Sequence, residues 1–414
     1  MPKVILFFLV TVIIELISCK DNPIQPVIDP NDPVANAGGN QTINVGSYFV
    51  LDGSKSTRGN GDKLIYKWKE DSKNPESVFL FGDPTYYKTV TTEGTYKYTL
   101  VVNNGIKDSK PAELVIKINP RTSSVVEDPN LEAQIRFKLN KQLGELVESD
   151  FASIDTLEAG RLLIANNKII SINGIENCYN LKYLYLSTQS VTNISQLSNL
   201  TKLEKLELDQ NHTITNIESL VNLTQLKHLN ISSNNIRDIN SLSKLTNLEY
   251  INILFNPISD ISVVTNFKHL KEFWGGELPT TDLAAFSDLK ELQLLYLTFS
   301  SVNDISALTN LTNLRQIELS ENKISDISPF INSKEMVTLR MTDNNITDIS
   351  VLEYLEKLTD IRLSRNKIED IGPLVKNQGI GEGVIIELIG NPLNEKSLNE
   401  YIPQLVARGA IIYR

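Results

Sequence analysis

The chain has 414 residues but only two cysteines, three histidines and two tryptophans. His212, His228 and His269 are far apart and form no His-x-x-x-His pair, so neither a zinc site nor a histidine-based nucleophile is expected. A glycine-rich phosphate loop and a Gly-x-Ser-x-Gly turn are also missing. No dense Lys/Arg tract offsets the formal net charge of -10, which argues against nucleic acid as the partner. These absences lead us to expect no enzyme, no cofactor and no metal. The apolar run from Val4 to Ile17, interrupted by Thr11 and Glu15, is too short and wrongly flanked to span a bilayer.

With Lys3 in front, that run reads as an export signal over residues 1–18. Its end, Leu16-Ile17-Ser18-Cys19, resembles the bacterial lipobox. The resemblance implies that the chain is cut before Cys19 and that acyl chains on its thiol hold the protein to a membrane. A plain secretory signal, or an anchor without lipid, is the alternative. Lys20-Asp21 resembles the surface-export signal of some Bacteroidetes lipoproteins, though the membrane leaflet stays open. A lipidated Cys19 would leave no disulfide in the mature chain, and Cys178, at a Leu position of the later pattern, is expected to be a buried thiol. Residues 19–33 are rich in Pro and Asp and should form an extended spacer.

Residues 34–119 break into short apolar or Thr-rich runs: Gln41–Val45, Tyr48–Leu51, Leu64–Lys69, Tyr86–Val90, Gly94–Val102 and Ala112–Ile118. Tyr96, Tyr98, Leu100 and Val102 alternate as one face of a half-buried strand, and several such strands predict a small all-β sandwich. The stretches Ala35-Asn36-Ala37-Gly38, Leu51-Asp52-Gly53-Ser54, Leu64-Ile65-Tyr66-Lys67-Trp68 and Gly94-Thr95-Tyr96 resemble the polycystic-kidney-disease (PKD) domain, an immunoglobulin-like module. That likeness implies a core position for Trp68. Asp52 reads as a turn acid in preference to a calcium ligand.

Beyond, a unit of 22 residues recurs, with the first position of each Leu-x-Leu pair at Leu162, Leu184, Leu206, Leu229, Ile251, Phe273, Leu295, Ile317, Leu339, Ile361 and Ile386. Such units cannot bury their apolar residues singly, so they stack into a solenoid over residues 157–393 with a parallel β concave face. Asn at the sixth position (Asn167, Asn211, Asn234, Asn256, Asn322, Asn344, Asn366, Asn391) suits bonding to backbone as the chain leaves the strand. Pieces such as Leu311-Thr312-Asn313-Leu314-Arg315-Gln316-Ile317-Glu318-Leu319 and Asn322-Lys323-Ile324-Ser325-Asp326-Ile327 resemble internalin-type leucine-rich repeats. Internalins are bacterial surface proteins that grip receptors with the concave face. Residues 120–156 should form a helical cap, with Asp128-Pro129 opening an amphipathic helix of Leu131, Ile135 and Leu139. Residues 394–414 should close the far end with a helix and a final strand at Ile411 and Ile412.

Outward strand positions would then form one wall, on which Tyr250, Leu254, Trp274, Leu294 and Tyr296 form a candidate aromatic cluster, extended by Phe255 and Phe299 at the next ladder edge. Tyr183, Tyr185, His228, Arg340 and Arg362 are further concave candidates. Leu278 in place of Asn, and Gly275-Gly276 beside Trp274, mark an irregular unit that is either drift or a pocket. The expected function is a lipid-anchored, adhesin-like protein of a bacterial envelope, in the outer membrane or at the cell surface, that binds a protein ligand. A glycan-binding lipoprotein and a passive envelope scaffold are the alternatives.

Overall fold

The computed structural model describes residues 31–61, 63–78, 80–159 and 168–414. The expected signal, Cys19, most of the spacer, Leu162 and Asn167 lie outside the described residues. All six runs of the first domain become strands: β1 (Gln41–Asn44), β2 (Phe49–Asp52), β3 (Ile65–Glu70), β4 (Thr85–Lys88), β5 (Gly94–Asn103) and β6 (Ala112–Asn119). They form a sheet in the order β1-β6-β5-β3, facing a two-stranded sheet of β2 and β4. β1 runs parallel to β6; the other pairs are antiparallel. Phe49, Leu51, Tyr96, Tyr98, Leu100 and Val102 fill the interior, as the alternation requires. Trp68 is only half-buried and its indole nitrogen has no partner. It lies on an edge strand, and the opposite sheet has only two strands to cover it. Asp52 is a turn acid, accepting from Ser54 N–H at 3.0 Å and the Thr85 hydroxyl at 3.2 Å.

Two helices follow, α1 (Pro129–Lys138) and α2 (Glu148–Ala152). Asp128 caps α1 with one carboxylate oxygen, accepting from Asn130 N–H at 2.8 Å, while the other accepts from Ile170 N–H at 2.8 Å. This side chain therefore ties the cap to the first repeat. The expectation of a one-sided helix needs correction, because Asn130, Glu132, Gln134 and Arg136 are buried along with Leu131, Ala133 and Ile135. The β-sandwich covers the second face: Tyr48 and Tyr87 meet Phe137 edge-on at 5.3 and 5.0 Å. Glu132 would be costly to bury alone, but Arg121 at 2.9 Å and Arg136 at 2.8 Å neutralise it.

Among the described residues, a parallel sheet of twelve strands runs through the rest. Its strands are β7 (Thr156–Glu158), β8 (Tyr183–Tyr185), β9 (Lys205–Glu207), β10 (His228–Asn230), β11 (Tyr250–Asn252), β12 (Glu272–Gly276), β13 (Leu294–Thr298), β14 (Gln316–Glu318), β15 (Thr338–Arg340), β16 (Asp360–Arg362), β17 (Ile385–Glu387) and β18 (Ile411–Tyr413). From Leu184 to Ile386 the middle residues of adjacent strands face one another as period counting requires. The first rung differs from the expected period: Leu157 lies opposite Leu184. At the far end, after α3 (Gly372–Lys376), α4 (Ile402–Ala407) leads into β18. Cys178 is fully buried, and burial, with Glu176 nearby, pushes its thiol up to about 12.

The Asn column is a hydrogen-bonded spine. Asn344 donates to Leu319 O at 2.9 Å and Met341 O at 3.2 Å and accepts from Ile324 N–H at 2.9 Å, so one amide satisfies backbone groups in two rungs. Asn211, Asn256, Asn322, Asn366 and Asn391 repeat the pattern. Asn234 keeps its donors engaged, yet its carbonyl oxygen has no partner. Leu206 and Leu229 are 23 residues apart, so a one-residue insertion near His212 and Thr213 precedes that rung.

Candidate ligand-binding site

The wall is built in columns, since each rung advances by one strand spacing of about 4.8 Å. The residues before and after each buried strand centre face out, and two further residues carry the chain over the rim. The second of these is left-handed in rung after rung: Ser233, Phe255, Glu277, Phe299, Glu321, Asp343 and Arg365 have φ between 52° and 60°.

Within this lattice the seven clustered candidates separate into four groups. Trp274 and Tyr296 are directly opposite and stack, centroids 5.1 Å apart and planes at 23°. The indole N–H reaches toward Glu272 at 3.4 Å. Tyr250 turns the other way and stacks flat on His228 at 4.0 Å, with Glu272 standing between it and Leu294 in their shared column. Phe255 and Phe299 sit on the rim with 62% and 61% of their surface exposed, separated by Glu277. Leu254 is half-buried, its Cδ2 lying 3.1 Å from where a Cβ on Gly276 would stand.

Gly275 is not a pocket. It takes an inward position that holds Leu297 and Leu319 in the next two rungs, and a Cβ there would lie 2.7 Å from Phe273 Cε1. The Phe273 ring uses that space and meets Phe286 edge-on at 4.9 Å, so a large residue and an absent one compensate each other. This unit and the next lack the spine, because Leu278 and Ser300 stand where Asn is expected. Ser300 accepts from Leu278 N–H at 3.1 Å, and β12 and β13 are five residues long where their neighbours have three.

The remaining candidates are tied into the polar wall on either side. Tyr183 is 36% exposed, and Lys205 lies 5.4 Å from the centroid of Tyr185. His228 Nε2 approaches Glu207 at 2.9 Å, and Lys205 reaches the same oxygen at 3.0 Å. Burial alone would raise the Glu207 carboxyl, but the close approach of His228 and Lys205 brings it down to about 2. Arg340 and Arg362 converge on Asp360 at 2.6 and 2.9 Å, and Arg362 also contacts Glu387 at 3.2 Å. Glu207 and Asp360 organise these groups and were not singled out from the sequence. Opposite charges one rung apart were the available signal. Glu277 was also missed, although the spacing of Phe255, Glu277 and Phe299 places it between the rings. A separate cavity of about 540 Å³ lies between the sandwich and the cap, beside Glu132 and Arg136, whose charges already satisfy each other.

Residues 30–117 match the PKD domain, and residues 224–271 match leucine-rich repeats in two copies. The chain is a PKD-like sandwich joined to a leucine-rich-repeat solenoid. It is similar in structure to an internalin (inlF) from Listeria monocytogenes, at 27% identity over 70% of this chain and 92% of that one, with a TM-score of 0.59. A leucine-rich-repeat protein of Leptospira interrogans shares the fold at 20% identity over 72% and 83% of the two chains, with a TM-score of 0.56. No curated protein sequence matches the chain. Both modules are scaffold and adhesion folds, not catalytic ones.

Proposed function

We propose that this protein is an adhesin-like receptor of a bacterial envelope, tethered by lipid on Cys19, that binds a protein ligand on the inner wall of its repeats. One observation carries the reading: the spine lapses, the strands lengthen and Trp274 stacks on Tyr296 in the same two rungs, β12 and β13. Rigid concave faces are how solenoids present extended binding surfaces, and clustered aromatic residues are the usual anchors on them. The mutual stacking of Trp274 and Tyr296 covers one face of each ring and so reduces the ring surface that a sugar could stack on, which favours a protein ligand over a glycan.

The test is to present the full-length chain, with Cys19→Ser for solubility, to arrays of purified cell-surface proteins and of glycans. The reading expects protein binding that weakens at least tenfold in Trp274→Ala/Tyr296→Ala, with unchanged circular dichroism. Glycan binding alone, or no binding with a periplasmic location, rejects it. Lipidation is checked apart from this: Cys19→Ser should move the protein from the membrane to the soluble fraction.

A further inference from the structure

We infer that the rim formed by Phe255, Glu277 and Phe299 is a docking edge for a protein segment that carries a Lys or Arg beside apolar side chains. This rests on the reading that the repeat wall binds a protein, and it names the region of the wall that anchors the partner and the partner's chemistry.

The folded chain gives no structural reason for phenylalanine at these positions. The backbone there is left-handed, φ 55° at Phe255 and 52° at Phe299, a conformation that bulky side chains rarely adopt. Other rungs fill the column with polar residues: Thr188, Gln210, Ser233, Glu321, Asp343 and Arg365. Neither ring is repaid by burial, since 62% and 61% of their surfaces remain exposed. The remaining aromatic residues of the cluster have company: Trp274 has Tyr296, and Tyr250 has His228. The rim rings are thus the apolar surface left for another molecule to cover.

The charge between them selects the occupant. Strand spacing puts Phe255 and Phe299 roughly 10 Å apart, and Glu277 stands between them, exposed, its backbone N–H bonded to Thr298 O but its carboxylate without a hydrogen-bond or ion-pair partner among the described residues. Glu321 continues the column beyond Phe299. An alkyl stem can lie between two such rings while its cationic head meets the carboxylate, a combination that Lys and Arg provide. An anionic bilayer, the other surface that exposed rings could enter, is opposed by Glu277 and Glu321.

A random 12-residue peptide display library, panned against the full-length chain and counter-selected on its Phe255→Ser/Phe299→Ser variant, tests this. Serine already occupies the column at Ser233, so the variant should keep its fold and melting temperature. The expected result is enrichment of peptides with Lys or Arg within two positions of an apolar residue. Their binding should fall at least tenfold in the double variant and in Glu277→Lys, and weaken with added salt. Peptides without a basic residue, or binding that survives the double variant, overturn the inference. So does a failure to enrich any peptide over the counter-selection. Peptides lost only on Trp274→Ala/Tyr296→Ala refute the rim but leave the wall reading standing, whereas peptides indifferent to both sets of changes refute both. A self-association of the full chain that the double variant abolishes assigns the rim to a second copy instead.

Discussion

Rungs β14 to β17 and rungs β12 and β13 belong to one sheet but satisfy their backbones differently. In the first group Asn322, Asn344, Asn366 and Asn391 each bridge two rungs, and the wall is polar, with Arg340, Asp360, Arg362 and Glu387 closed into ion pairs. In the second, Leu278 and Ser300 interrupt the spine and the strands run two residues further, pairing as far as Gly276 with Thr298. Buried backbone groups need partners in both cases. A side-chain amide ends the strand early, while additional ladder pairing prolongs it and leaves a broader flat surface. The stacked rings of Trp274 and Tyr296 lie on that broader surface, so the lapse in the repeat and the centre of the candidate site are one feature.

The sharpest way to break the comparison is Asn344→Ala, which strips partners from two buried carbonyls and one N–H; equilibrium denaturation should show a loss of about 3 kcal/mol. Gly275→Leu should cost somewhat less, about 2 kcal/mol, by forcing Phe273 from its place, and adding Phe273→Leu should recover most of it. If the double variant is no better than the single one, the compensation between these residues is wrong. Acid should separate the polar wall from the aromatic rungs. The Glu207 carboxyl lies near 2 in the folded chain, below its ordinary 4.5, so its contribution is complete above about 4.5 and disappears as pH falls toward 2. Relative to Glu207→Gln, the unaltered chain should lose about 2 kcal/mol across that window after allowance for solvent screening. The smallest effect belongs to Ser300→Ala, about 0.5 kcal/mol in the same denaturation assay, because the lengthened strands carry the backbone there. A loss as large as that of Asn344→Ala would show that the two groups of rungs do not differ.

The 22-residue period made the register of the sheet from Leu184 to Ile386 legible, because an inward residue one rung on must meet its equivalent. It failed at the first rung: Leu157 follows Phe151 and Ile154 at spacings of three, which reads as cap, yet it takes the strand position opposite Leu184. The site was legible as a set of columns but not as contacts. Whether Tyr250 turns to His228 or to its other neighbours is decided by side-chain torsions, which repeat spacing does not encode. The left-handed rim was hidden for another reason, since a non-glycine column carries no compositional mark of its backbone. Gly275 read as a possible pocket because the sequence shows a missing side chain but not the Phe273 ring that takes its place.

In the sandwich, the first strand, β1, lies parallel to the last, β6. Tension applied to the chain ahead of β1 and borne by the cap behind β6 pulls these neighbours lengthwise in opposite directions, so their bonds are strained together and cannot give way singly in sequence. The aromatic contact of Tyr48 and Tyr87 with Phe137 gives the cap a second hold on the same module. If the chain is tethered ahead of β1 as proposed, a load on the repeats therefore passes through a coupling arranged to resist tearing.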